Sequence, residues 1–250
     1  MPKVALPAAH MPGLYERNRA FYDQLWAAAR LVRPERLNTW PLVQSLLERS
    51  PRRLEVAPGL RPRLPLAGTT FLDVSRPALL TLARCGARVV EGEIARLPFP
   101  DGSFDLVCAL DVLEHIENDR GGLAELCRVT AAGGLMLLSM PLHAARWTAF
   151  DDWVGHRRRY EPAQLAALLE QHELSVQQSA AYGMQPRSSR LLDYGIWWLT
   201  NHPRRAMWWY NRIFMPLGVL FQERLALARG LIDTDAVDEV ILLCTRRAGD

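Results

Sequence analysis

The chain has 250 residues, 49% of them hydrophobic and 23% charged, with a net charge of +3 and a pI near 8.8. That is an ordinary globular composition, with length for one large α/β domain or two small ones and for a real buried core. The mild basic excess gathers in local clusters such as Arg157, Arg158 and Arg159 or Arg204 and Arg205, which gives no ground for a nucleic-acid partner.

The first elements in chain order are helical. Leu14, Phe21, Leu25 and Trp26 recur at helical spacing, and WPLVQSLLER predicts a second helix opening near Pro41, so residues 14–49 form an N-terminal helical segment. RRLEVAPG, stopped by Pro58-Gly59, reads as a buried strand, and TTFLDVS as another. Their connection is unusually short, and Pro62 and Pro65 within it oppose a regular helix. A helix through ALLTLARCG and a strand in ARVVEG follow. FDLVCALDVL fits a central parallel strand, which is covered on both faces and needs no polar alternation. Residues 118–129 place Leu123, Leu126 and Cys127 on one helical face, with Asn118 or Asp119 as N-cap. Gly133-Gly134 is expected to end that element and LMLLSMP to be the next strand; EPAQLAALLEQ predicts a helix and LSVQQSAA a strand. Residues 186–230 form a Trp-, Arg- and Leu-rich insertion before the last strand, 237–247. Alternating strands and helices predict a Rossmann-like, doubly wound α/β sheet.

Four cysteines are scattered without CxxC or Cys/His ligand spacing, so reduced thiols and no metal site are expected. The N-terminal residues lack an apolar core of signal-peptide length, and the expected location is cytoplasmic.

In open α/β sheets the ligand crevice lies outside the carboxyl ends of the strands. Glu55 and Gly59 lie in and after the first strand, Asp73 ends the second, Glu93 follows the third and Asp111 the fourth. Asp73 stands eighteen residues after Glu55, near the spacing at which a second-strand carboxylate meets ribose hydroxyls. No GxGxxG lies between Leu54 and Asp73, which argues against a nicotinamide enzyme.

The run GEIARLPFPDGSFDLVCALDVLEH, followed by LAELCRVTAAGGLMLLSMP and later by GHRRRYEPAQLAALLEQHEL, resembles the class I S-adenosylmethionine-dependent methyltransferases over roughly residues 52–174. The resemblance implies a seven-stranded sheet with an antiparallel last strand and S-adenosyl-L-methionine as cofactor. It places Glu55, Ala57, Pro58 and Gly59 around the methionine moiety. Asp73 and Val74 fall at the ribose, Glu93 and Ile94 at the adenine, and Ala109, Leu110 and Asp111 under the sulfonium. The family's glycine-rich loop is here Glu55-Val56-Ala57-Pro58-Gly59-Leu60-Arg61, with a single glycine. Without a helix to offer its amides, Arg61 or Arg63 is expected to meet the cofactor carboxylate, or Tyr15 or Tyr22 to fold over it.

His115 and His156 are candidate general bases, and Tyr160 a candidate acceptor-site residue; each has a structural alternative. The arginines of WVGHRRRY are expected to pair with Asp151 and Asp152 rather than to bind an acidic substrate. The Trp-rich segment 191–221 reads as a lid over the acceptor, ahead of a homodimer interface or a weak membrane-surface contact. The resulting expectation is a methyltransferase acting on oxygen, nitrogen or carbon of a small, apolar or aromatic acceptor. A non-catalytic cofactor-binding protein of the same fold is the alternative.

Overall fold

Strands whose side chains are apolar toward both faces dictate a sheet covered on both sides. The computed structural model describes residues 14–183 and 189–247; the first residues of the expected insertion, 186–188, and the side chains of Leu14, Tyr15 and Phe21 lie outside what is described. Helix α1 (Leu14–Ala28) is followed by a 3-10 turn at Pro34–Arg36 and α2 (Trp40–Leu46). Then come β1 (Arg53–Val56), β2 (Thr69–Asp73), α3 (Arg76–Arg84), β3 (Arg88–Glu91) and β4 (Phe104–Ala109). A 3-10 turn at Leu113–His115 leads to α4 (Asp119–Val129), β5 (Thr130–Pro141), α5 (Ala149–Val154), α6 (Pro162–Gln171) and β6 (Leu174–Ala181). The insertion contains α7 (Ser189–Asn201), α8 (Pro203–Trp209), a π turn at Tyr210–Phe214, α9 (Met215–Leu220) and the two-residue β7 (Ala228–Arg229). β8 (Glu239–Arg246) follows it.

The strand order is β3-β2-β1-β4-β5-β8-β6-β7. β1 to β5 are mutually parallel, and β8 runs antiparallel between β5 and β6. The short β7 pairs with β6 and adds an eighth strand to the seven expected. It was not legible because two residues carry no period.

The two sheet faces take alternate residues of each strand. Val107 and Ala109 join Leu123, Leu126, Leu165 and Leu169 of α4 and α6 in one core. Leu106 and Cys108 join Leu42, Val43 and Leu46 of α2, with Leu64, in the other. Asn118 caps α4 by accepting from the Gly121 amide at 2.9 Å. Gly133-Gly134 does not separate α4 from β5: Thr130 is already extended and pairs with Phe104, and the register shift between Phe104 and Leu106 takes the surplus residues into a bulge. Cys108, Cys127 and Cys244 are buried free thiols and Cys85 an exposed one. No helix among the described residues is long and apolar enough to cross a membrane.

Candidate active site

The connection from β1 to β2, residues 57–68, contains no helix. Its shape is set instead by the carboxylate of Glu55, which accepts the Arg63 amide at 2.8 and 3.0 Å and the Leu64 amide at 2.8 Å. Burial raises Glu55 to about 7 against the opposing pull of those amides. Gly59 stands at φ +53, and a Cβ there would overlap the indole of Trp26, so α1 lies directly on this loop. Asp73 plays the same part at the end of β2: it accepts the Gly59 amide at 3.0 Å and the Ser75 amide at 2.8 Å, and burial raises it to about 6.

Among the described residues, three of the four non-glycine positions at positive φ follow strands at this end of the sheet: Ala57 after β1, Asp111 after β4 and His143 after β5. Strained backbone of that kind concentrates at functional sites. Asp111 is exposed, donates its amide to the Ser139 hydroxyl at 2.9 Å and receives that hydroxyl's hydrogen bond on its carboxylate. Ala57 and Glu93 are exposed, Leu110 and Val74 half-buried, and Pro58, Ile94 and Ala109 buried. The Arg61 guanidinium lies over Trp26 and Tyr210, 5.9 and 5.3 Å from the ring centroids, and that of Arg63 over Tyr182 at 5.8 Å.

Beyond β4 the side chains form a second group. The Tyr22 hydroxyl bonds His115 Nε2 at 3.3 Å, and the His115 and His156 rings meet edge to face at 4.6 Å. His156 Nδ1 bonds Asp151 at 2.8 Å, while Arg159 holds both oxygens of Asp151 at 2.9 Å. Burial would raise the Asp151 carboxyl, but the hydrogen bonds from His156, Arg159 and Thr148 hold it well below the usual carboxylate range. Burial, with His156 alongside, lowers His115 to about 3, so its imidazole is neutral at physiological pH. Glu114 is buried and held well above its ordinary value by burial and by Asp111. Glu114, His115 and His156 bring one ligand-type atom each to within 4.8 Å of the others. Tyr160 is not part of this group: it packs in the core, and its hydroxyl donates to Asp119 at 3.0 Å.

The arginines of the WVGHRRRY run go to acids, as expected, though not to the expected set. Arg159 takes Asp151, Arg158 takes Asp119 at 2.6 Å and Arg157 approaches Glu117 at 3.9 Å. Asp152 instead accepts from the Trp147 indole at 3.0 Å. Sequence reasoning missed Glu114, Ser139 and Glu239. The DVLEH run holds the first, but nothing local marks a strand-borne Ser139 or Glu239 as neighbours of Asp111.

The sheet order and the carboxyl-end crevice define the class I S-adenosylmethionine-dependent methyltransferase fold. Solved structures with TM-scores of 0.57 and 0.54 share it. One is a SAM-dependent methyltransferase from Thermotoga maritima, 15% identical and covering 94% of this chain and 96% of that one. The other is the [4+2]-cyclase SpnF, 19% identical and covering 84% and 81%. Residues 57–138, from the loop after β1 into β5, match the methyltransferase domain family. The demethylmenaquinone methyltransferase of Deinococcus radiodurans is 38% identical over an alignment of 114 positions, which covers 38% of this chain and 46% of that one. That of Thermus thermophilus is 35% identical over 115, covering 40% and 52%. The chain thus spans about half the length of these curated relatives.

The cofactor this family implies is S-adenosylmethionine, and the donor set suits it. Among the described residues, five of the ten buried side-chain polar atoms without a hydrogen-bond partner lie at the crevice: Asp23 Oδ1 from α1, Ser75 Oγ after β2, Glu114 Oε2 and His115 Nδ1 after β4, and Glu239 Oε1 at the start of β8. A nucleoside with hydroxyls, ring nitrogens and a charged amino-acid tail offers partners of both kinds, and unpaired buried polar atoms are costly to leave so.

Proposed function

We propose that the chain binds S-adenosylmethionine at the carboxyl ends of β1 to β4 and methylates a small, apolar acceptor. The single observation that carries this is the group of unpartnered buried polar atoms at that crevice, of which those on Ser75, Glu114 and His115 fall inside the segment that matches the methyltransferase domain. In this reading Asp73 and Val74 meet the ribose, Glu93 and Ile94 the adenine, Ala57 to Gly59 and Arg61 the amino-acid tail, and Ala109 to Asp111 the sulfonium side. Arg61 stands where a helix N-terminus would otherwise face the carboxylate, and Tyr22 and Trp26 close over it from α1.

Bound S-adenosylmethionine supplies an electrophilic methyl group on a good leaving group. The chain's own residues then need to orient the acceptor and, where it is a hydroxyl, take its proton. His156 is suited to accept that proton, because Asp151 receives Nδ1–H and leaves the Nε2 lone pair turned toward Glu114, 3.8 Å away. Neutral His115 packs against that ring and orients it, itself anchored by Tyr22. The apolar acceptor class rests on the relatives that act on demethylmenaquinone and on the Trp-rich helices beside the site.

Calorimetric titration with S-adenosylmethionine and with its demethylated product tests the cofactor site, followed by turnover on hydroquinone acceptors. Micromolar binding of both with methyl transfer supports the reading. Binding without transfer to any acceptor supports the non-catalytic alternative, which the helix-free β1–β2 connection keeps in view. Binding of neither overturns both.

A further inference from the structure

The residues from α8 through the π turn to α9 form one rod, since the junction residues Tyr210, Phe214 and Met215 all keep right-handed helical dihedrals. Its faces are the reverse of an ordinary surface helix, which hides its apolar stripe. Ala206, Met207, Met215 and Val219 fill the inner face. The outer face exposes Trp208, Trp209, Ile213, Phe214, Leu217 and Leu220, with Phe221 just beyond at 75% exposure. Trp209, Ile213, Leu217 and Leu220 recur every three to four residues, as do Phe214, Leu217 and Phe221, which keeps them on one side of the rod, and α7 adds exposed Tyr194 and Trp197. Patches of this extent mark interaction surfaces.

Charge selects the occupant. Exposed Arg204, Arg205 and Arg212 stand on the same face, and no Asp or Glu occurs from Tyr194 to Gln222. Arg212 lies along the stripe itself, with its guanidinium 5.5 Å from the Trp208 ring centroid. In a dimer contact that cation would be buried with no acid on its own face to meet it, since a two-fold interface repeats the same patch. At a bilayer the aliphatic stem of an arginine lies among acyl chains while its head reaches a lipid phosphate, and tryptophans settle at the same depth.

We infer that the outer face of the α8–α9 rod docks on an anionic phospholipid surface, lying in the interface without crossing it. The inference needs nothing from the methyl-transfer reading, although the two agree. Tyr210 receives the Arg61 guanidinium, so the rod borders both the bilayer and the crevice and an acceptor dissolved in lipid has a short way to travel.

The test is co-sedimentation of the full chain with vesicles of phosphatidylcholine alone and of phosphatidylcholine mixed with phosphatidylglycerol. The wild-type chain is expected to pellet with the mixed vesicles and to be released by salt. Arg204→Glu/Arg205→Glu is expected to weaken partitioning by at least about tenfold, at roughly 1 kcal/mol for each arginine near an anionic surface. Leu217→Ser/Leu220→Ser/Phe221→Ser is expected to abolish it, with an unchanged thermal melt because these side chains are already in solvent. Wild-type chain left in the supernatant with both vesicles overturns the inference, as do variants that bind like wild type. A dimer in sedimentation velocity that the triple variant dissolves, without vesicle binding, overturns it in favour of a second copy of this chain.

Discussion

Gly59→Ala probes the contact on which α1 rests. At φ +53 an L side chain costs about 1–2 kcal/mol. The added Cβ also overlaps the Trp26 ring, and overpacking of that kind costs about 1–3 kcal/mol. The two together predict a loss of about 2–5 kcal/mol. They separate in a Trp26→Ala background, where the overlap is gone and the same glycine substitution costs only the backbone strain, about 1–2 kcal/mol. Urea unfolding of the four proteins, followed by far-ultraviolet circular dichroism, yields the coupling directly. Equal costs in both backgrounds would refute the idea that Trp26 seals the β1–β2 loop.

Glu55→Gln reports on the buried acid that shapes that loop. The folded chain raises Glu55 from 4.5 to about 7, so the stability tied to its proton is complete below about pH 4.5 and lost as pH rises through 7. The variant has no such loss, and its stability relative to wild type is expected to improve by about 3 kcal/mol between pH 5 and pH 8; a difference that stays flat over that range contradicts the effect ascribed to burial. Asp73→Ala removes the carboxylate assigned to the ribose and is expected to weaken S-adenosylmethionine binding about ten- to a hundredfold by calorimetry, with unchanged affinity sinking that assignment. Arg61→Ala is expected to weaken S-adenosylmethionine binding more than that of an analogue lacking the carboxylate, and equal losses for the two would remove Arg61 from the tail. His156→Asn is expected to lower kcat on a hydroxyl acceptor by about 10²–10⁴ with little change in KM; a full kcat would show that the acceptor reaches the methyl group already deprotonated.

Much of the scaffold was open to sequence reasoning because it rests on period and punctuation. The unbroken apolar run at β4, the Pro-Phe-Pro-Asp-Gly stop before it and Asn118 ahead of α4 each act locally, and the structure bears them out. Pro62 and Pro65 announced the missing helix after β1 for the same reason. The start of β5 was misjudged because Gly133-Gly134 reads as a break, whereas a neighbouring strand tolerates both glycines inside a bulge. The site divides along the same line. Asp73 and Asp111 could be placed by strand ends alone, but the approach of His115 to His156 and the clasp of Asp151 by Arg159 depend on how α5 folds back, which no spacing encodes. Tyr160 shows the converse, since its position in a polar motif gives no sign that Asp119 engages its hydroxyl.

The helix-free β1–β2 connection also bears on the order of synthesis. The sheet face beneath it is covered largely by Leu42, Val43 and Leu46 of α2, residues that precede every strand they cover. As chains emerge and collapse from the N-terminus, each of these strands meets an apolar cover already made. A variant trimmed to begin at β1 would retain every strand and still present a bare greasy face, and the expected fate of such a fragment is aggregation as it leaves the ribosome.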